Sequence, residues 1–163
     1  LKNFNNPPII RSEYRMVYNL NKINDCGQNI TYKKVDFNNK YIFKEMLCSA
    51  FSDDDGSDNF IDSVINSQNR AGFIQYINGK PVGTFSINHE NDYIFLYGVA
   101  ITKEQRGQGY WKYLVKLAQN ISTKSKKKMV LDVDSNNPVA FNLYKSYDFC
   151  IDFQVDYYKL PIK

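Results

Sequence analysis

The chain has 163 residues, a 43% apolar share and a mild formal charge of +4, which suits one domain with a real core and is too short for two ordinary ones. Its three cysteines, Cys26, Cys48 and Cys150, are odd in number, widely spaced and form no CxxC pair, which argues against a disulfide framework or a zinc site and for reduced thiols in a cytoplasm. No apolar run reaches membrane-spanning length, and the positive excess gathers at Lys124, Lys126, Lys127 and Lys128, a run that reads as a solvated helix end because no nucleic-acid reader motif accompanies it.

Residues 1–28 form an N-terminal extension, rich in Asn, with Pro7-Pro8 and one expected strand from Ser12 to Leu20. That strand shares an aromatic, mixed pattern ending in Leu with the last one, Asp152 to Leu160. Two origins fit it: the tail of a preceding related domain, or an extra edge strand of the domain that fills 29–163. Ile30 to Val35 alternates and reads as the first strand of that domain. Asn38 or Asn39 then caps a helix from Tyr41 to Phe51, with Ile42, Phe43, Met46, Leu47 and Ala50 facing inward. Ser52 to Asn59 is acidic but lacks the spacing and closing Glu of an EF-hand, so it reads as a loop and helix cap, and no metal is expected. A second helix follows, with Phe60, Ile61, Val64 and Ile65 on one side.

Ala71 to Ile77, Asn78-Gly79 and Pro81 to Ile87 form the clearest hairpin, since Asn-Gly between apolar runs signals a type I′ turn. Asn88 to Asp92 is a polar turn that leaves the only histidine, His89, in solvent. Phe95, Leu96, Val99 and Ile101 then supply strand character, and Gly98 inside the run suggests a bulge or a close backbone approach. Arg106-Gly107-Gln108-Gly109-Tyr110-Trp111 follows, and Leu114, Leu117, Ala118 and Ile121 recur at helical spacing. A strand at Met129 to Val133 comes next. Asn137-Pro138 opens another helix, with Asn as cap, Pro at the first helical position, and Ala140, Leu143, Tyr144 and Tyr147 on its inner face. Phe149 to Tyr158 closes the order β-α-α-β-β-β-α-β-α-β, a mixed sheet with helices on both faces.

The glycines before the central helix let main-chain N–H groups converge on an anion, and the helix N-terminus adds about half a positive charge there. The loop lacks the Lys-Ser or Lys-Thr of a nucleotide-triphosphatase loop and the glycine spacing of a dinucleotide fingerprint. It resembles the signature of the GCN5-related N-acetyltransferases (GNAT): an apolar strand, then Arg or Gln, two residues, Gly, one residue, and Gly or Ala opening a helix. Arg106 and Gly109 match, and Trp111 stands where Gly or Ala is usual. A second stretch, Asn137-Pro-Val-Ala140-Phe-Asn-Leu143-Tyr144-Lys-Ser-Tyr147-Asp-Phe149, resembles the family's later segment, with Asp148 in place of its usual Gly. The likeness covers about residues 29 to 160.

The resemblance implies a mostly antiparallel mixed sheet of six to seven strands, in which a parted parallel pair, Val99 to Ile101 and Met129 to Val133, forms the acyl-CoA cleft. It implies an N-acyltransferase that moves an acetyl group from acetyl-CoA to a primary amine by direct attack. Val99, Ala100 and Ile101 would meet the pantetheine arm through backbone groups. Gly107, Gln108, Gly109, Tyr110 and Trp111 would bind the diphosphate, with Arg106, Lys112 and Lys116 as nearby cations, although both lysines equally fit a wet helix face. Tyr144 would return a proton to the departing sulfur, and Asn137 would touch pantetheine or serve only as a cap. The family's central-strand Glu is replaced by Phe95, so the base falls to Asp134, which shares a face with Asp132, or to Tyr97 through a water; either Asp also fits an ordinary exposed or capping role. A non-catalytic acyl-CoA-binding module on the same fold is the alternative. The expected partner is a small-molecule or peptide amine, with no nucleic-acid or membrane partner, in a monomer or homodimer; the acidic Asp53, Asp54, Asp55 and Asp58 could attract a cationic amine and equally fit a solvated loop.

Overall fold

The computed structural model describes residues 7–27, 29–51 and 57–159. In chain order the elements are β1 (Ile9–Tyr18), β2 (Ile30–Lys34), α1 (Lys40–Ala50), α2 (Asp58–Asn66), β3 (Arg70–Ile77), β4 (Lys80–His89), β5 (Tyr93–Ile101), a short 3-10 turn (Lys103–Gln105), α3 (Trp111–Ser125), β6 (Lys128–Asp134), α4 (Pro138–Ser146) and β7 (Cys150–Tyr158). They fall into two compact units, Asn19–Met129 and Leu1–Tyr18 with Val130–Lys163. Asp53, Asp54 and Asp55 of the acidic stretch lie outside the described residues.

In the larger unit β2, β3, β4 and β5 run antiparallel in that order. The β3–β4 hairpin closes through Asn78 (φ +50) and Gly79 (φ +79), the two positive φ angles that a type I′ turn requires. Helices cover both faces of this sheet. A Cβ on Gly72 would meet Phe43 of α1, whereas one on Gly83, which faces the other way, would meet Leu114 of α3. On the first face Val35, Phe43, Met46, Leu47, Ile61, Ile74 and Tyr76 form one apolar cluster. On the second, α3 buries Leu114, Val115 and Ala118.

α3 also buries Gln119, Asn120 and Ser122, which apolar periodicity does not foretell. The reason is the connector between β1 and β2. Asn120 accepts from the Asn24 amide at 2.7 Å and donates to its carbonyl at 2.9 Å, and Thr123 donates to the Lys22 carbonyl at 3.1 Å. A polar helix face is satisfied here by main chain instead of water. At the helix end Lys126 adopts a left-handed conformation (φ +55) and closes α3 as its cap.

Helix starts differ in detail from the expected caps. Asn39 makes no side-chain cap to α1; its amide oxygen accepts from the Asp36 N–H and its amide donates to the Lys34 carbonyl. Ser57 caps α2 by accepting from Phe60. His89 ends a strand rather than filling a turn and is half-buried, which corrects its expected exposure.

In the smaller unit the strand order is β6-β1-β7, with β1 and β7 antiparallel from Ile9↔Tyr158 to Val17↔Cys150. The N-terminal strand is therefore flanked on both sides and is not an edge strand. Arg15 of β1 grips Asp132 of β6 with both guanidinium arms, Nη2 to Oδ2 at 2.8 Å. Tyr14 rests against Phe141 of α4, and Tyr18 against Phe149. Asn137 caps α4 by accepting from the Ala140 N–H at 3.1 Å, with Pro138 at the first helical position as the sequence pattern requires.

Candidate functional site

The larger unit gathers Val99, Ala100, Ile101 and the whole run from Arg106 to Lys112 at one end of β5. The sequence first loosens that strand end. Thr84 pairs with Ala100 but Ser86 pairs with Tyr97, so Gly98 (φ +61) and Val99 together face Phe85 alone. This is a β-bulge at the glycine expected to make one, and it bends the strand just before Val99. Ala100 and Ile101 are buried, and Thr102 holds the Val82 carbonyl at 3.0 Å.

The loop then turns through Lys103–Gln105 and folds back. Arg106 Nε donates to the Ile101 carbonyl at 3.1 Å, so this carbonyl, expected to face pantetheine, already has a partner. Gln108 bends its amide over the 3-10 turn, 3.3 Å from the Gln105 oxygen. Gly107 and Gly109 follow at φ +77 and +75, and a Cβ built on either would meet no atom within 4 Å. Two left-handed glycines thus leave open space in front of α3. The cap residue of that helix, Tyr110, lends it no side-chain acceptor. N–H groups at a helix start of this kind are anion donors.

The loop is anchored from below by a residue that sequence reasoning missed. Gln75 of β3 is fully buried and its amide reaches the Tyr110 carbonyl at 3.5 Å, while the Tyr32 hydroxyl donates to the Tyr113 carbonyl at 2.9 Å. A glutamine inside the apolar run Phe73-Ile74-Gln75-Tyr76-Ile77 was the available signal, since a buried amide needs a polar partner. Lys112 and Lys116 of α3 turn sideways. Lys112 lies over the Tyr113 ring at 4.8 Å, and Lys116 donates to the Asp25 carbonyl at 3.1 Å.

The smaller unit gathers Asp134, Asn137 and Tyr144. Asp134 accepts from the Asn136 N–H at 2.8 Å, its other oxygen lies 3.5 Å from Arg11 Nε, and its carbonyl accepts from the Asn137 N–H at 2.9 Å. These are the bonds of a carboxylate that shapes the turn into α4. Tyr144 is buried, edge-on to Phe149 at 5.5 Å, and burial pushes its phenol well above the ordinary value. It keeps its proton at neutral pH. Tyr97 is raised by burial too, against a smaller opposing pull from Arg70. Asp148 takes φ +63, the left-handed turn for which the sequence pattern normally has Gly. Asp58, the one described acid of the expected amine-attracting set, is paired with Lys44 at 2.7 Å.

Among the described residues no cluster of three metal-binding side chains exists, and no helix is long and apolar enough to cross a membrane. The model of the acetyltransferase (GNAT) family matches residues 40–149. No curated protein matches the sequence. Among solved structures, a functionally unknown conserved protein from Staphylococcus epidermidis is 15% identical with a TM-score of 0.71, over 88% of this chain and 59% of its own. A putative acetyltransferase from the GNAT family of Novosphingobium aromaticivorans is 12% identical with a TM-score of 0.71, over 90% of this chain and 63% of its own. The aminoglycoside N-acetyltransferase AAC(6')-Iy in complex with CoA is 16% identical with a TM-score of 0.68, over 83% of this chain and 97% of its own. The chain spans about three-fifths of the length of the first two. At these identities the likeness shows the fold: seven strands, mostly antiparallel, and four helices.

Proposed function

The chain belongs to the acetyltransferase (GNAT) family, and from that premise we propose that it transfers an acetyl group from acetyl-CoA to a primary amine by direct attack, without a covalent enzyme intermediate. The observation that carries this reading is the pair of left-handed glycines, Gly107 and Gly109, facing open space ahead of α3. They make a cradle that a Cβ would fill, which fits a diphosphate. When bound, acetyl-CoA supplies an activated thioester carbonyl.

The chain's own residues then have these tasks. Backbone N–H groups from Gly107 to Trp111 hold the diphosphate at the positive end of α3, and the Arg106 guanidinium, braced on Ile101, adds charge beside them. Lys112 extends the same positive edge. Val99 and Ala100, just past the bulge, offer main-chain groups to the acyl arm. Tyr144 donates a proton to the departing sulfur; its raised phenol keeps that proton at neutral pH. Asn137 positions Tyr144 by capping α4. We assign Asp134 to holding the turn rather than to taking the amine's proton, because both its oxygens are engaged. The three free thiols support a reducing, cytoplasmic setting.

Calorimetric titration with acetyl-CoA, followed by an amine screen read as released coenzyme A, tests this. Binding heat and thiol release that Tyr144→Phe abolishes are expected; a protein that takes up no acetyl-CoA at all ends the proposal. Phe95 favours a second reading, a passive acyl-CoA-binding module, because no carboxylate occupies that strand position. That reading predicts heat with acetyl-CoA and no thiol release with any amine.

A further inference from the structure

Among the clefts of the larger unit that the coenzyme reading does not use, one is walled by aromatic rings and an arginine. It measures about 230 Å³ and is lined by Phe60, Arg70, Asn88, Phe95 and Tyr97. Arg70, Asn88 and Phe95 form one row across β3, β4 and β5, because Arg70 pairs with Asn88 and Asn88 with Phe95. Tyr97 stands in the next row. Its ring lies nearly parallel to Phe95 at 6.1 Å and edge-on to Phe60 at 6.2 Å.

The polar groups of this cleft are all suited to an anion. Arg70 Nη1 donates to the Ser63 hydroxyl at 3.0 Å, and among the described residues no acid forms an ion pair with it. The Tyr97 hydroxyl is buried and bonded to nothing in the described structure. Among the described residues no carboxylate lines the walls; the neighbouring Glu90 accepts from the Asn88 amide at 2.6 Å. A half-buried guanidinium without an acid presents a planar fork that matches a carboxylate. Three aromatic rings beside it call for an apolar body on the same ligand. Two residues beyond Tyr97 the strand reaches Val99, where the acyl arm is assigned.

We propose that this cleft seats a free α-amino acid with an aromatic or branched side chain, Arg70 pairing with its carboxylate and Phe60, Phe95 and Tyr97 enclosing its side chain. The inference rests on the acyl-transfer reading only in making this amino acid the acceptor. Its ammonium loses one proton to water and attacks; a nitrogen–carbon bond forms, the carbon–sulfur bond breaks, and a second amine proton ends on sulfur. The cleft lies below the roughly 300–1,000 Å³ usual for drug-sized ligands, which suits a single amino acid. A polycationic aminoglycoside would bring its ammonium groups against Arg70, with no acid among the described lining residues to receive them.

The probes are L-phenylalanine and L-phenylalaninamide, which differ in the carboxylate, titrated calorimetrically into the full chain and offered separately as acceptors with acetyl-CoA. Phenylalanine should bind about tenfold or more tightly than the amide, the usual scale of a hydrogen-bonded charge pair, and should release coenzyme A faster. Arg70→Gln should erase the preference and Arg70→Lys should keep part of it. Equal affinity, a preference for the amide, no binding of either probe, or a preference that survives Arg70→Gln overturns the inference. The comparison of probes on the unaltered protein needs no variant, so a substitution that misfolds does not decide it. Acetyl-CoA heat with no carboxylate preference overturns the cleft alone; a carboxylate preference with no acetyl-CoA heat overturns the transferase reading and supports the ligand class.

Discussion

Substituting Gly109, and separately Gly107, distinguishes a glycine needed for turning from a glycine needed for a ligand. Both residues hold left-handed backbone, φ +75 and +77, and neither has an atom within 4 Å of where a Cβ would stand. Alanine at either site therefore meets no neighbour, and its cost is conformational, about 1–2 kcal/mol for an L-residue in this region. Asparagine tolerates the same conformation and should recover a large part of that loss. Affinity should behave differently. Any side chain here projects into the space before α3 where the diphosphate is assigned, so Ala and Asn should both weaken coenzyme A by tenfold or more, about 1.4 kcal/mol. Equilibrium urea unfolding reads the first quantity and calorimetry the second. Linkage gives an internal check: coenzyme A at about 100 times its Kd should stabilise the unaltered protein by about 2.7 kcal/mol and the variants by clearly less at the same concentration. If Gly109→Asn restores coenzyme binding together with stability, the glycines serve only the turn, and the cradle argument is refuted.

Three further outcomes follow from the geometry. Gly83→Ala places a Cβ 2.7 Å from Ile101 Cδ1 and 2.9 Å from the Ala100 carbonyl, so urea unfolding should show a loss of about 1–3 kcal/mol; a neutral result would mean β4 and β5 are not so closely apposed. Asp148→Gly relieves a left-handed residue at φ +63, and thermal unfolding should register a gain of up to about 1 kcal/mol after the added freedom of the unfolded chain is counted. His89 is held below its ordinary value by burial, then by Lys127 and Lys34, so the unfolded chain takes its proton more readily than the folded one. Stability should therefore fall as pH drops below about 6.5, the loss being complete below the folded value, and His89→Gln should flatten that part of the urea midpoint against pH.

Local chemistry made much of this chain legible. Asn78-Gly79 announces its turn because only residues tolerant of positive φ close a two-residue hairpin, and Asn137-Pro138 announces its helix because the side chain caps and the ring costs nothing at the first position. Gly98 marks its bulge for a similar reason. What was not legible depends on partners remote in sequence. The buried polar face of α3 makes sense only once the Asn24 main chain lies against Asn120, about a hundred residues away. Asn39 looks like a cap and is instead spent on Asp36 and Lys34. The same distinction governs the site. The glycine loop is a local device, readable from spacing, whereas its support by Gln75 and the charge of the Arg70 cleft arise from strand register. Coenzyme recognition in this reading is therefore written in contiguous residues, and acceptor recognition in residues brought together only across β3, β4 and β5. That is why the sequence pointed to the acyl donor and left the acceptor open: a row made by pairing Arg70 with Asn88 and Asn88 with Phe95 has no signature along the chain.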